Sequence, residues 1–370
     1  MILGLFSFTG DLLVFFILLS VLIFIHELGH FMMAKLFGVY CFEFSLGMGP
    51  LVYQHHKEGK ETKYSIRALP IGGFVSMAGE GIDEEEKQEG LDIPVERTLH
   101  GVASWKKMII VVAGVVMNFI LSLVLYMILF GVTGVPTDRI ELGIEKDSVA
   151  YQVGLRDGDE ITKIETVLFG SMDEKEFTCT IDSGLTKCIQ QYAPSEEYPT
   201  QLYEFTVLRD GEELTFEVSR TYDAETEKTS VMGMAFGYIY DDSSFVDSMV
   251  HAIKYEGYAI KSLFVGVGSL FTKEGWSQVG GPVAIFEITQ DAKDNGILSV
   301  ISLAAALSAN LGVINLLPIP ALDGATFLTS LWETITKKKV YRKIEGILNY
   351  IGMIFLMGLM VVVLIKDIFF

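Results

Sequence analysis

Between Asp11 and Phe37 almost every residue is apolar, yet Phe24-Ile25-His26-Glu27-Leu28-Gly29-His30 sets two imidazoles and a carboxylate in the second half of that run. A helix of about 20 such residues crosses a bilayer, and ionisable groups at that depth mark function by default. On a helix, residues four apart share one face a turn apart. His26 and His30 therefore offer ring nitrogens to one tetrahedral Zn²⁺, while Glu27 beside them reaches a water at the metal. This is the H-E-x-x-H arrangement of a zinc hydrolase. Zinc lowers the pKa of its water and polarises a carbonyl, and Glu27 serves as general base. The competing reading, a chance match or histidines that only hydrogen-bond within a helix bundle, leaves expensive polar groups in an apolar span.

The chain has 370 residues, half of them hydrophobic, and a mean hydropathy of +0.41, which fits neither a soluble domain nor a protein that is all membrane. The first 25 residues lack the basic segment and small-residue cleavage site of a removable signal peptide, so the first span, 1–37, is expected to be retained. Residues 38–104 are expected to hold a β-hairpin and an acidic loop. Alternation in Leu51–Gln54 and Tyr64–Val75 flanks a Lys57-Glu58-Gly59-Lys60 turn. A sheet edge there can hold a substrate extended by strand addition; the plainer reading is a hairpin packed on the membrane surface. His55 and His56 lie at its polar tip and are read as solvated. The acidic stretch Gly79–Leu99 reads as a surface connection. A second span follows over 105–132, opened by the interfacial anchor Trp105-Lys106-Lys107, and Asn118 inside it is expected to bond a neighbouring helix.

From Asp138 to Phe245 there are 24 Asp and Glu against 9 Lys and Arg, a net of −15 out of the chain's −19. Residues 138–245 thus read as an inserted acidic α+β domain, and its charge argues against nucleic acid. Strands are expected at Glu141–Ile144 and after Gly154–Glu160, a short helix over Ser148–Val153, and a hairpin at Arg209-Asp210-Gly211-Glu212. Cys179 and Cys188 bracket a polar loop. They pair if the domain faces an oxidising space and otherwise stay thiols, while Cys41 is the odd one of the three cysteines.

Residues 246–296 read as amphipathic helices on the membrane surface. A third span is expected over 297–330, carrying Asn315-Leu316-Leu317-Pro318-Ile319-Pro320-Ala321-Leu322-Asp323-Gly324. Prolines two apart break a helix, and broken backbone at membrane depth is tolerated where it is buried or lines a polar cavity. Catalytic zinc takes three protein ligands, and Asp323 is the carboxylate of a later span placed to be the third. A capping role for Asp323 is the alternative. Asn315 is expected to bind substrate backbone or orient the attacked carbonyl, or else to bond within the bundle. The last span is expected over 344–366. The basic Lys337–Lys343 loop before it should be cytoplasmic, so four spans put both termini and the acidic domain on the far side.

His26-Glu27-Leu28-Gly29-His30, Pro70-Ile71-Gly72-Gly73-Phe74-Val75, Gly281-Pro282-Val283-Ala284-Ile285 and the Asn315–Gly324 segment together resemble the site-2 proteases, in the bacterial branch that carries a PDZ domain. The resemblance runs in order along the whole chain. It implies a polytopic α-helical membrane protein of about four transmembrane helices, with a membrane-associated β-hairpin and one inserted extracytoplasmic PDZ-like domain near 140–222. It further implies zinc on His26, His30 and Asp323, Glu27 as catalytic base, and substrate contacts at Asn315, Gly72, Gly73, Pro318 and Pro320. The expected setting is a bacterial plasma membrane. The expected partners are the lipid bilayer, single-span membrane proteins such as anti-sigma-factor-like proteins or signal-peptide remnants in regulated intramembrane proteolysis, and peptide C-termini at the PDZ-like domain. The long polar insert Ser171–Thr200 departs from that pattern. A non-catalytic membrane PDZ scaffold is the alternative, but it has no need of Glu27 beside the histidines. A zinc transporter would want ligands on several helices and a through path.

Overall fold

The computed structural model describes residues 2–79, 93–169, 174–179, 194–223, 228–269, 272 and 279–369. These fall into two compact units, 1–132 with 245–370, and 133–244. The acidic run at Asp83–Glu86, the Cys179–Cys188 pairing and most of the Ser171–Thr200 insert lie outside the described residues or side chains.

The first unit opens with α1 (Ile2–Leu36), then strands β1 (Cys41–His55) and β2 (Lys63–Met77), then α2 (Ser104–Thr133). β1 and β2 form an antiparallel two-stranded sheet whose register slips around Gly47–Leu51. The slip has a steric cause. A Cβ on Gly47 would lie 2.6 Å from the Leu69 carbonyl oxygen, and one on Gly73 2.6 Å from that of Ser45, so the strands cross there more closely than side chains allow. The sheet packs on α1 through Phe44, which stacks on Phe31 at 4.8 Å and meets Phe24 at 5.2 Å. The Ser20 hydroxyl donates to the Pro70 carbonyl. Buried Ala34, Val39, Cys41, Val75, Met77 and Ile110 close this core.

The second unit is one seven-stranded antiparallel sheet made of β3 (Val135–Ile144), β4 (Glu160–Phe169), β5 (Glu174–Cys179), β6 (Thr200–Arg209), β7 (Glu212–Asp223), β8 (Lys228–Thr229) and β9 (Met234–Asp241), with the single-turn helix α3 (Val149–Gln152) after β3. The strand order is β8-β7-β6-β4-β3-β9, with β5 paired to β4. Arg209 pairs with Glu212 across Asp210-Gly211, both at positive φ, which is the two-residue turn that matches strand twist. Leu142, Leu155, Ile164, Tyr203, Phe205, Val207 and Val218 fill the core. Asp159, buried, takes two 2.6 Å hydrogen bonds from Arg209, whose guanidinium also lies over Phe216.

The chain returns to the first unit in α4 (Phe245–Ser269), α5 (Pro282–Asp294), α6 (Ile297–Leu316), α7 (Asp323–Thr336) and α8 (Arg342–Phe369). Among the described residues, four helices are long and apolar enough to cross a membrane: Thr9–Leu36, Ser104–Thr133, Ile297–Leu316 and Lys343–Asp367. The run expected as one span over 297–330 is thus two helices. Pro318 and Pro320 lack the N–H that an intrahelical bond needs, so α6 stops at Leu316 and α7 starts afresh at Asp323. α5 is tied to α1 by Lys293 and Gln290, which both bond buried Asp11. The backbone N–H groups of Gly281 and Ala284 donate to Asp367 of α8.

Candidate active site

α1 carries His26 and His30 one turn apart, both 7% exposed, with their rings at 85° to one another. α2 can lie against this face because of two glycines. A Cβ on Gly29 would run into the Ala113 backbone, and one on Gly114 into both imidazoles, at 2.6 Å from His30 Cε1 and 2.8 Å from His26 Cε1. That close approach lets the Ile110 carbonyl accept from His30 Nδ1–H at 2.9 Å. The Asn118 side-chain Nδ2 sits 3.1 Å from His26 Nδ1.

Asp323 reaches the same point because the loop before it is held in one shape. Ala321 stands at φ +76°, a costly value for a residue with a Cβ, and its N–H donates to Asn349 Oδ1 of α8 at 3.2 Å. Gly352, a turn further along α8, lies against the Pro320 carbonyl, and Gly324 against those of Leu316 and Leu317. Asp323 Oδ2 is then 3.1 Å from His26 Nε2 and 3.4 Å from His30 Nε2, and the two Nε2 atoms are 3.1 Å apart.

This triangle fits zinc. Bonds of about 2.0–2.1 Å in tetrahedral geometry separate neighbouring ligand atoms by about 3.3 Å, close to the three edges observed. Asp323 Oδ2 is buried with no hydrogen-bond partner, and both Nδ1 atoms are engaged elsewhere, so the two Nε2 atoms and the carboxylate oxygen are the groups that converge. Two imidazoles and a carboxylate with an open fourth position are the donor set of a catalytic site.

A cavity of about 440 Å³ opens beside the triangle, lined among others by Glu27, Asn315, Lys107, Glu345 and Asn349. Glu27 is hydrogen-bonded to the Val75 backbone, which ties the hairpin to the histidine-bearing end of α1. Of the other residues expected to touch substrate, Asn315 lines the cavity. Gly72, Gly73, Pro318 and Pro320 do not: the glycines are buried where β2 meets β1 and Ile23, and the prolines shape the loop that carries Asp323. Sequence reasoning passed over Gly114, Asn349, Gly352 and the pair of Lys107, 2% exposed, with Glu345 at 2.9 Å. Asn118, a lone amide in an apolar span, is the sequence signal that could have pointed to this face of α2.

A family model described as peptidase family M50 matches residues 14–359. A Clostridium acetobutylicum protein provisionally named a zinc metalloprotease is 34% identical over 94% of this chain and 94% of its own. A similarly named Clostridium perfringens protein is 32% identical over 95% of this chain and 96% of its own. The zinc metalloprotease RasP of Bacillus licheniformis is 28% identical over 97% of this chain and 99% of its own.

Proposed function

The chain belongs to peptidase family M50 and is an intramembrane zinc metalloprotease, and we propose that it cuts single-span membrane proteins within or near their transmembrane segments. The convergence of His26, His30 and Asp323 beside Glu27 in one cavity among apolar helices carries this reading. His26, His30 and Asp323 would hold zinc, which supplies Lewis-acid polarisation of the scissile carbonyl and activation of water. Glu27 takes the proton from the attacking water and passes it to the leaving amine. Asn315, on the last turn of α6, donates its amide to the substrate backbone and orients the carbonyl. The hairpin offers a strand edge against which an unwound substrate is held extended, since a helical peptide bond is screened by its own turn.

The acidic 133–244 unit is read as a PDZ-like domain and the basic 337–343 loop as cytoplasmic, which puts that domain and both termini outside the bacterial plasma membrane. Reporter fusions after Lys343 and within Glu212–Arg220 should fall on opposite sides; the same side for both would overturn that orientation. For the substrate class, purified protein in nanodiscs is given a single-span protein and its soluble flanking segments as separate peptides. Cleavage mapped by mass spectrometry should fall in the apolar segment, and cutting of the soluble peptides alone at equal rates would refute an intramembrane substrate.

A further inference from the structure

We propose that Asn118 is the positioning residue of His26, its side-chain oxygen accepting from His26 Nδ1–H and so reserving Nε2 for the metal. The inference rests on the zinc reading above and adds to it the residue that sets one ligand's tautomer. A neutral imidazole has one N–H, and the nitrogen without it is the ligand. His26 Nε2 points at Asp323 Oδ2 and His30 Nε2, at 3.1 Å from each, so the proton belongs on Nδ1. That N–H needs an acceptor inside an apolar bundle. Asn118 is the residue in place: it is fully buried on α2, and its side-chain Nδ2 lies 3.1 Å from Nδ1, the end that a half-turn of the amide exchanges with Oδ1.

An amide offers a donor at one end and an acceptor at the other, related by a half-turn that leaves its outline unchanged. With NH₂ toward Nδ1, the imidazole is forced to hold its proton on Nε2, and Asn118 Oδ1 is buried with no hydrogen-bond partner. With Oδ1 toward Nδ1, the proton has its acceptor and Nε2 its lone pair. The neighbouring ligand already follows this pattern, since His30 Nδ1 faces the Ile110 carbonyl, also on α2. Both rings are thereby oriented by oxygen atoms of one helix. α2 is itself anchored at this level, where the Ser308 hydroxyl of α6 donates to the Asn118 backbone carbonyl at 2.8 Å. Gly114, one turn earlier, leaves the rings their space.

The test uses the full chain in detergent or nanodiscs, with zinc affinity measured by chelator competition and thermal stability measured metal-free. Asn118→Leu removes the acceptor and should weaken zinc about 10–100-fold, the usual cost of losing a partner of a ligating histidine. Asn118→Asp keeps an acceptor in the same place and should bind zinc at least nearly as well as wild type. Zinc binding by Asn118→Leu equal to wild type would overturn the proposal, and so would Asn118→Asp as weak as Asn118→Leu, because the amide N–H would then be the working group. If Asn118→Leu does not fold, the absorption of bound Co²⁺, which reports tetrahedral coordination, is compared in Asn118→Ala and Asn118→Asp: loss in the first and retention in the second support the proposal, and equal spectra refute it. A wild-type chain that binds no zinc would instead sink the metal reading itself.

Discussion

Gly114→Ala would place one methyl group where the helices carrying the ligands meet. The new carbon lies 2.6 Å from His30 Cε1 and 2.8 Å from His26 Cε1, whereas carbon atoms settle at about 3.5 Å or more, so the rings must retreat by about 0.7–0.9 Å. Neither ring has a free path. His30 is held by Ile110, and α2 cannot back away without opening the Gly29–Ala113 contact. A metal site tolerates displacements of about 0.2 Å in its bonds, so the metal-loaded form bears the overlap, while the metal-free rings can swing aside. Overpacking of one carbon costs about 1–3 kcal/mol, which at about 1.4 kcal/mol per tenfold is a loss of about 5–150-fold in zinc affinity. Chelator competition on the purified full chain measures it. Gly131→Ala on the same helix is the control, since its Cβ would meet nothing nearer than Ser248 Oγ at 3.9 Å. If Gly114→Ala binds zinc as tightly as Gly131→Ala, the close packing of α2 on the ligands is not what shapes the site.

In the sheet unit, Arg209→Ala leaves the Asp159 carboxylate, 1% exposed, without its bidentate partner and should destabilise residues 133–244 by about 3 kcal/mol. Faster hydrogen exchange across β4, β6 and β7 would show it, and unchanged exchange would deny the pair its role. At the hairpin tip, burial works to raise the Glu61 carboxyl, but hydrogen bonds from Lys35 and Arg97 outweigh it and hold the group below its ordinary value. A depressed acid contributes stability above its unfolded pKa and loses it as pH falls through the lower folded value. Protection of the hairpin from proteolysis should therefore fall with acid in wild type and less steeply in Glu61→Gln; parallel profiles would contradict this. Replacing residues 133–244 by a short flexible bridge leaves every proposed zinc ligand in place and should raise cleavage of intact, bulky substrates if the unit is a filter. Slower cleavage even of pre-trimmed substrates would show that it recruits them instead.

The signals that could be read from sequence were those with a period. Residues four apart on an apolar helix fixed the partnership of His26 and His30, alternation around Asp210-Gly211 gave the hairpin of β6 and β7, and the doubled proline announced a break before Asp323. The extent of that break was not legible. Whether an apolar run continues past two prolines depends on what receives the freed backbone groups, and here that is Asn349, 28 positions beyond Ala321, while Gly352, 32 positions beyond Pro320, leaves the loop its space. The same holds for Gly114 and Lys107. A glycine or lysine in a helix carries no local sign of the ring or carboxylate it will meet across an interface, and Glu345 lies 238 positions from Lys107. Gly72 and Gly73 were expected to contact substrate from the resemblance alone, and no sequence pattern showed that they also lie where the two strands and α1 crowd together.

Catalysis at this site depends on Glu27 acting on water at a metal it does not bind. Zinc content and cleavage of a single-span substrate, measured side by side on wild type and Glu27→Gln in the same bilayer, test this directly. Zinc should stay near one equivalent per chain in both, while cleavage falls by at least the 10²–10⁴-fold that a general base contributes. Near-normal turnover by the zinc-loaded Glu27→Gln protein would contradict the mechanism.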